Sequence, residues 1–421
     1  MSRKKAASKR QPKKDVRVWY VVFFALGGVV ALFIGFPAWP RRAQSNKPAG
    51  AYVISITGSN SQGVVSPKGP WGVLSYEKLP LENFDQRFPN GPSRLSAPRW
   101  VFENLSPQQL NQTLLSCDLT AGEKSFLLDT NRWEPLTNGF AISPTPELVL
   151  GLGKNARQLL YPILARSAAN SAQFQPFRAA PDKFDDQFAD SGIAREKLDK
   201  LRELTYEDQG ALCLCVDAPV QNLFSTNEFE SLLKALYTVP SWSVRVQVTP
   251  DSDVDGLVKY WGRGGREKTI RPLVESLAHT RRGGFLNISA FLPGFARMRL
   301  YTFPDPATDL DAGRENCLYT AMNFFNTQPD PQLSGGQYAK NALLNDYSAV
   351  PDKLTFGDVM VLFDSKGTVV HACVYIADDI VFTKNGMDAM QPWVLMKFPD
   401  MMTLFPADPP LRTKNLRRKT I

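Results

Sequence analysis

Between Phe356 and Phe382 the chain reads as short apolar runs joined by tight polar turns, a pattern that an antiparallel sheet satisfies. Val359–Phe363, Val369–Ile376 and Ile380–Phe382 are the expected strands, with turns at 364–367 and 377–379. A helix precedes them. Asp311 to Glu315 supplies its polar start, and Leu318, Ala321, Met322 and Phe325 fall three and four apart on one face. A helix packed on a small antiparallel sheet is an α+β arrangement.

Chemistry enters at two positions of this pattern. Cys317 lies near the start of the helix, and His371, one of only two histidines in the chain, opens the second strand. A free thiol near pKa ~8.5 is mostly protonated at neutral pH and attacks only as thiolate. A helix N-terminus and a nearby imidazole both favour the thiolate, so the pair suits nucleophilic catalysis, with His371 as general base and then acid. A third polar group usually orients such an imidazole. Thr383, Lys384 and Asn385 follow on the next strand, and Asn385 is the expected partner because its carbonyl can accept from a ring nitrogen. Cys373 shares the strand face of His371 and is read as packing. Cys213 and Cys215 sit in an apolar run and read as buried strand residues. Five cysteines, an odd number, do not describe a disulfide framework. His279, among Ala278 and Arg281 near a helix end, carries no catalytic expectation.

The residues Asn316-Cys317, Gly357-Asp358-Val359 and His371-Ala372-Cys373-Val374-Tyr375-Ile376 resemble the NlpC/P60 superfamily of papain-like cysteine peptidases and amidases. The likeness covers roughly residues 305–400. It implies a papain-like fold there, Cys317 as nucleophile, His371 as base, and a substrate amide bond in peptide, such as the peptide crosslinks of bacterial cell wall. The family's third polar residue aligns near Thr383, whereas Asn385 is chosen here on its chemistry. Asp-Cys-Ser-Gly is usual around the family's nucleophile, and this chain has Asn-Cys-Leu-Tyr. A second expectation therefore stays open: a non-catalytic envelope protein that uses the same fold for binding or scaffolding.

The rest of the chain sets location and organisation. The formal charge of +8 is concentrated at the ends: residues 1–17 hold eight Lys/Arg against one Asp. The body is mildly acidic, which argues against a nucleic-acid groove. Val18 to Trp39 carries no charge, is long enough to span a bilayer as a helix, and has Trp19, Tyr20 and Trp39 at its ends. It is expected to be a single-pass anchor at the cell membrane, with residues 1–17 cytoplasmic and the body outside. Residues 40–70 read as a flexible stalk. Residues 71–303 read as a mostly helical domain of unknown role, with helices over Asn155–Ser171, Ile193–Tyr206, Thr226–Tyr237 and Thr269–Ala278 and strands over Ala211–Val216 and Ser243–Val248. A boundary near 303–312 leads into the domain at 304–405, and 406–421 is a basic tail. Asp251 to Gly256 matches only the first half of a calcium loop, and Gly262 to Thr269 lacks the glycine of a phosphate loop. No cofactor or metal is expected.

Overall fold

A computed structural model describes residues 64–304, 315–350, 353–386, 390–405, 407 and 409–421 of the chain. Strand β1 (Val64–Val65) pairs with β2 (Val73–Leu81), and after Leu81 the chain leaves on a long excursion. The excursion holds two small antiparallel sheets. In the first, β3 (Trp100–Glu103) and β4 (Glu134–Leu136) flank β5 (Gly139–Ile142). In the second, β6 (Phe177–Ala179) and β7 (Tyr206–Asp208) flank β8 (Ala211–Leu214).

Helices α1 (Lys154–Leu164), α2 (Arg195–Glu203) and α3 (Thr226–Tyr237) pack beside these sheets. Helix α3 keeps its expected bounds because its start is locally encoded. The Ser225 hydroxyl accepts from the Glu228 amide, the Glu228 carboxylate accepts from the Ser225 amide, and Phe229 and Leu232 are buried. Helix α1 stops well short of Ser171. The Asn170 side chain takes the Leu164 carbonyl together with both backbone groups of Val101, a tertiary contact that ends the helix.

The chain returns at β9 (Val239–Val248), which pairs with β2 from Val73 opposite Gln247 to Leu81 opposite Val239. Val244, Val246 and Val248 are fully buried, as the alternation of this stretch predicts. Helix α4 (Val254–Trp261) begins at Asp253, whose carboxylate accepts from the Gly256 amide, and α5 (Glu267–Ala278) follows a turn through the left-handed Gly264 and Gly265. Strand β10 (Gly284–Asn287) closes the sheet in the order β1-β2-β9-β10.

The C-terminal part contributes α6 (Cys317–Met322), β11 (Tyr347–Ala349), β12 (Val359–Phe363), β13 (Val369–Ala377), β14 (Ile380–Lys384), β15 (Trp393–Lys397), α7 (Phe398–Met402) and β16 (Arg412–Arg418). Its six strands form one antiparallel sheet in the order β11-β16-β12-β13-β14-β15.

Four expectations need correction. The region 71–303 is not mostly helical, because it contains three antiparallel sheets. Several of their strands are only three or four residues long, too short to show a period, whereas the apolar run at Cys213 is a buried strand as expected. The boundary expected near 303–312 lies largely outside the described residues, and the residues on its two sides share a core. One core runs from Leu74 and Val246 through Trp261 and Phe291 to Phe356, Phe382 and Leu416. The basic segment 406–421 is not a tail, since β16 lies between β11 and β12. Leu416 is its one buried side chain, and that hides the strand from a search for apolar runs.

The fourth correction concerns the membrane. The spanning helix expected at 18–39 lies outside the described residues, as do 1–17 and most of the stalk. Among the described residues no helix is long and apolar enough to cross a membrane. The described residues therefore give no support to the anchor or to the membrane placement built on it. The described fold is mixed α/β with antiparallel sheets.

Candidate active site

The strand opening Gly357-Asp358 is structural. Gly357 sits at φ +86°, and a Cβ there would lie 2.2 Å from the Phe325 ring. Asp358 is fully buried and receives Arg417 of β16 at 2.6 Å and Arg263, which follows α4, at 3.3 Å. This ion-paired carboxylate fixes where β12 begins and ties β16 to it. Register then sets the start of β13, with His371 opposite Leu362.

His371 is 1% exposed. Its Nε2 lies 2.8 Å from the Thr383 hydroxyl on β14, and that hydroxyl donates to Asn385 Oδ1 at 3.0 Å. The Asn385 amide nitrogen faces Met396 Sδ at 3.6 Å, an atom that can only accept, so the carbonyl is the end that meets Thr383. A hydroxyl has one proton. Given to Asn385, it leaves the Thr383 oxygen to accept from Nε2–H, and the ring then carries its lone pair on Nδ1. Among the described residues Nδ1 makes no hydrogen bond.

The third polar group is thus Thr383, with Asn385 one step behind it rather than in contact with the ring. Alternation could have found this. In a tight antiparallel hairpin Thr383 shares the face of Val381, Cys373 and His371, so it reaches the ring first.

Cys317 is the first residue of α6. Asn316 caps the helix, accepting from the Tyr319 amide at 2.9 Å and donating to the Ser334 carbonyl at 2.7 Å. The helix packs on the Ala372, Val374 and Phe382 face of the sheet, whereas Cys373, Tyr375 and Val381 belong to the opposite face. Pairing between β13 and β14 begins only at Val374. Cys317 meets β13 at this parting, where its sulfur is near the Ala372 amide.

The thiol is half-buried, and among the described residues no hydrogen bond joins it to the imidazole. Burial pushes the Cys317 thiol up. The amides of Ala372, Leu318 and Cys317 and the cation of Lys384 pull it down and do not overcome that. Burial alone drives His371 down to about 3. The expected activation by the helix terminus is therefore outweighed, and both groups rest in their neutral forms. Cys373 is pushed up by burial and then by Cys317 nearby, as befits a packed thiol.

Sequence reasoning missed Phe405, remote in the chain and just past α7. Its ring stacks on His371 with centroids 4.2 Å apart and planes 21° from parallel. Cys317, His371, Asn385 and Phe405 all line one cavity of about 2500 Å³. Its other wall comes from the excursion, including Phe174 to Ala180 and Ala235 to Thr238. No family model matches this chain, and no curated protein and no solved structure matches it.

Proposed function

We propose that this protein is a cysteine-dependent hydrolase of amide bonds in peptides. The observation that carries the reading is the chain Asn385–Thr383–His371, which leaves the ring's lone pair on Nδ1, with His371 and Cys317 lining the same cavity. The resemblance of these residues to NlpC/P60 enzymes points the same way. Because thiol and imidazole rest neutral, the proton leaves sulfur for Nδ1 as sulfur attacks the carbonyl carbon. The oxyanion that forms has the amides of Cys317 and Ala372 as nearby donors. Collapse breaks the C–N bond, and the amine departs with the proton from Nδ1. Water, deprotonated by the same nitrogen, then releases the acid and restores the thiol. Catalysis requires the sulfur to close on Nδ1 and Phe405 to yield to the substrate.

A second reading has its own support. The stacked Phe405 ring and the missing sulfur–imidazole bond favour a peptide-binding cavity that does not hydrolyse. Alkylation by iodoacetamide across pH separates the two. A hydrolase gives faster labelling of Cys317 than of the four buried cysteines, slowed by His371→Ala, together with turnover of a quenched fluorescent peptide library that Cys317→Ala abolishes. Labelling indifferent to His371→Ala, with no turnover, would leave only binding.

A further inference from the structure

The wall facing the candidate site is built partly from a strand edge. Among the described residues strand β6 pairs with β8 alone, so one of its edges has no partner strand there. Outside that ladder, the backbone groups of Phe177, Arg178 and Ala179 make no hydrogen bond among the described residues. The side chains leave by opposite faces. Phe177 packs on Phe184 and Phe188, and Arg178 reaches Asp208 on β7 at 2.5 Å. A strand that turned one face to the cavity would line it with every second residue, yet all three residues line it consecutively. Consecutive lining of this kind fits a strand that meets the cavity along its open edge.

The volume favours the same kind of occupant. Pockets for drug-sized ligands run to roughly 300–1000 Å³, and this cavity, at about 2500 Å³, has room for several amino-acid residues. Its lining includes the apolar Phe174, Leu236, Trp242, Leu318 and Leu404 together with Lys78, Lys183 and Asp186. An unpaired strand edge in such a space recognises one chemical feature independent of side chains, the repeating amide of an extended chain.

We infer that the ligand is an extended polypeptide segment that adds to β6 as a further strand of its sheet, so that the excursion presents it to the wall holding Cys317. The inference rests on the reading of this cavity as a peptide site, and it holds whether or not the bound peptide is cut.

Backbone groups alternate along an antiparallel edge, so one of Arg178→Pro and Ala179→Pro removes an outward N–H and the other an inward one. Both are made in the full chain carrying Cys317→Ala, with a random decapeptide library as the probe. The parent chain captures peptides, and hydrogen exchange at Phe177–Ala179 slows when they bind. The outward proline variant melts like an alanine control at its position (Arg178→Ala, or wild-type Ala179) and captures about tenfold less than that control, the size expected for a lost main-chain bond with its steric cost. Unchanged capture in that variant, unchanged exchange at Phe177–Ala179, or absence of any capture would overturn the inference. So would protection of these amides that rises with protein concentration alone, since a second copy would then fill the edge. Turnover plays no part in this readout, so loss of the hydrolase reading and loss of this one are told apart.

Discussion

At the scale of single residues, the sequence located His371 and Cys317 but not their condition. Both residue types were legible because helix and strand periodicities flank them. Their protonation was not, because it depends on how completely distant segments cover them. Thr383→Val tests the hydrogen-bond chain. It leaves Nε2–H buried without an acceptor and is expected to cost about 1–3 kcal/mol in urea unfolding. Thr383→Ser, which keeps the hydroxyl, should restore most of it, and equal losses in both variants would count against the chain.

The buried imidazole also makes stability depend on pH. The folded ring titrates at about 3, and the unfolded ring near its ordinary ~6.5. Between these values the unfolded chain binds a proton that the native state refuses. The contribution is thus fully present above ~6.5, falls by up to ~1.4 kcal/mol per pH unit as acid is added, and levels off below about 3. Urea melts from neutral pH downward should show wild type losing stability faster than His371→Gln. Parallel curves would mean that the ring is not buried neutral.

At the scale of elements, the short apolar strands β12 to β14 were legible because two tight turns frame them. Strand β16 was not, since a single buried Leu416 carries no periodic signal and its place comes from Arg417 meeting Asp358. The Gly357-Asp358 step, which carries part of the family resemblance, proves to be a mark of architecture. Its glycine meets two separate demands, a positive φ and room for Phe325. Gly357→Ala should therefore destabilise by about 2 kcal/mol or more. Adding Phe325→Ala relieves the clash but not the φ, so the double variant should recover only part of what the glycine substitution costs. Full additivity in a denaturation cycle would show that the two sites do not touch.

At the scale of the whole molecule, the segment from Glu82 to Thr238 leaves and re-enters between two paired strands and packs its own cores. Sequence reading placed the division near 303–312 because prolines and aspartates cluster there. Tyr301 and Thr302 in fact bond Trp393 of β15 on the far side of that stretch. A boundary made by strand pairing between Leu81 and Val239 has no local composition to announce it.

That pairing has a kinetic consequence. If Glu82–Thr238 were still a flexible coil when β2 meets β9, closing so long a loop would cost about 4 kcal/mol of chain entropy. Once the excursion has folded, its own contacts hold its two ends within reach and most of that cost has already been met. The excursion should thus fold ahead of the ladder and set its rate. Asn170→Ala, which weakens only the excursion, should slow the tryptophan-fluorescence phase that reports burial of Trp242 and Trp261. An unchanged rate would mean that the sheet assembles without waiting for the segment inserted into it.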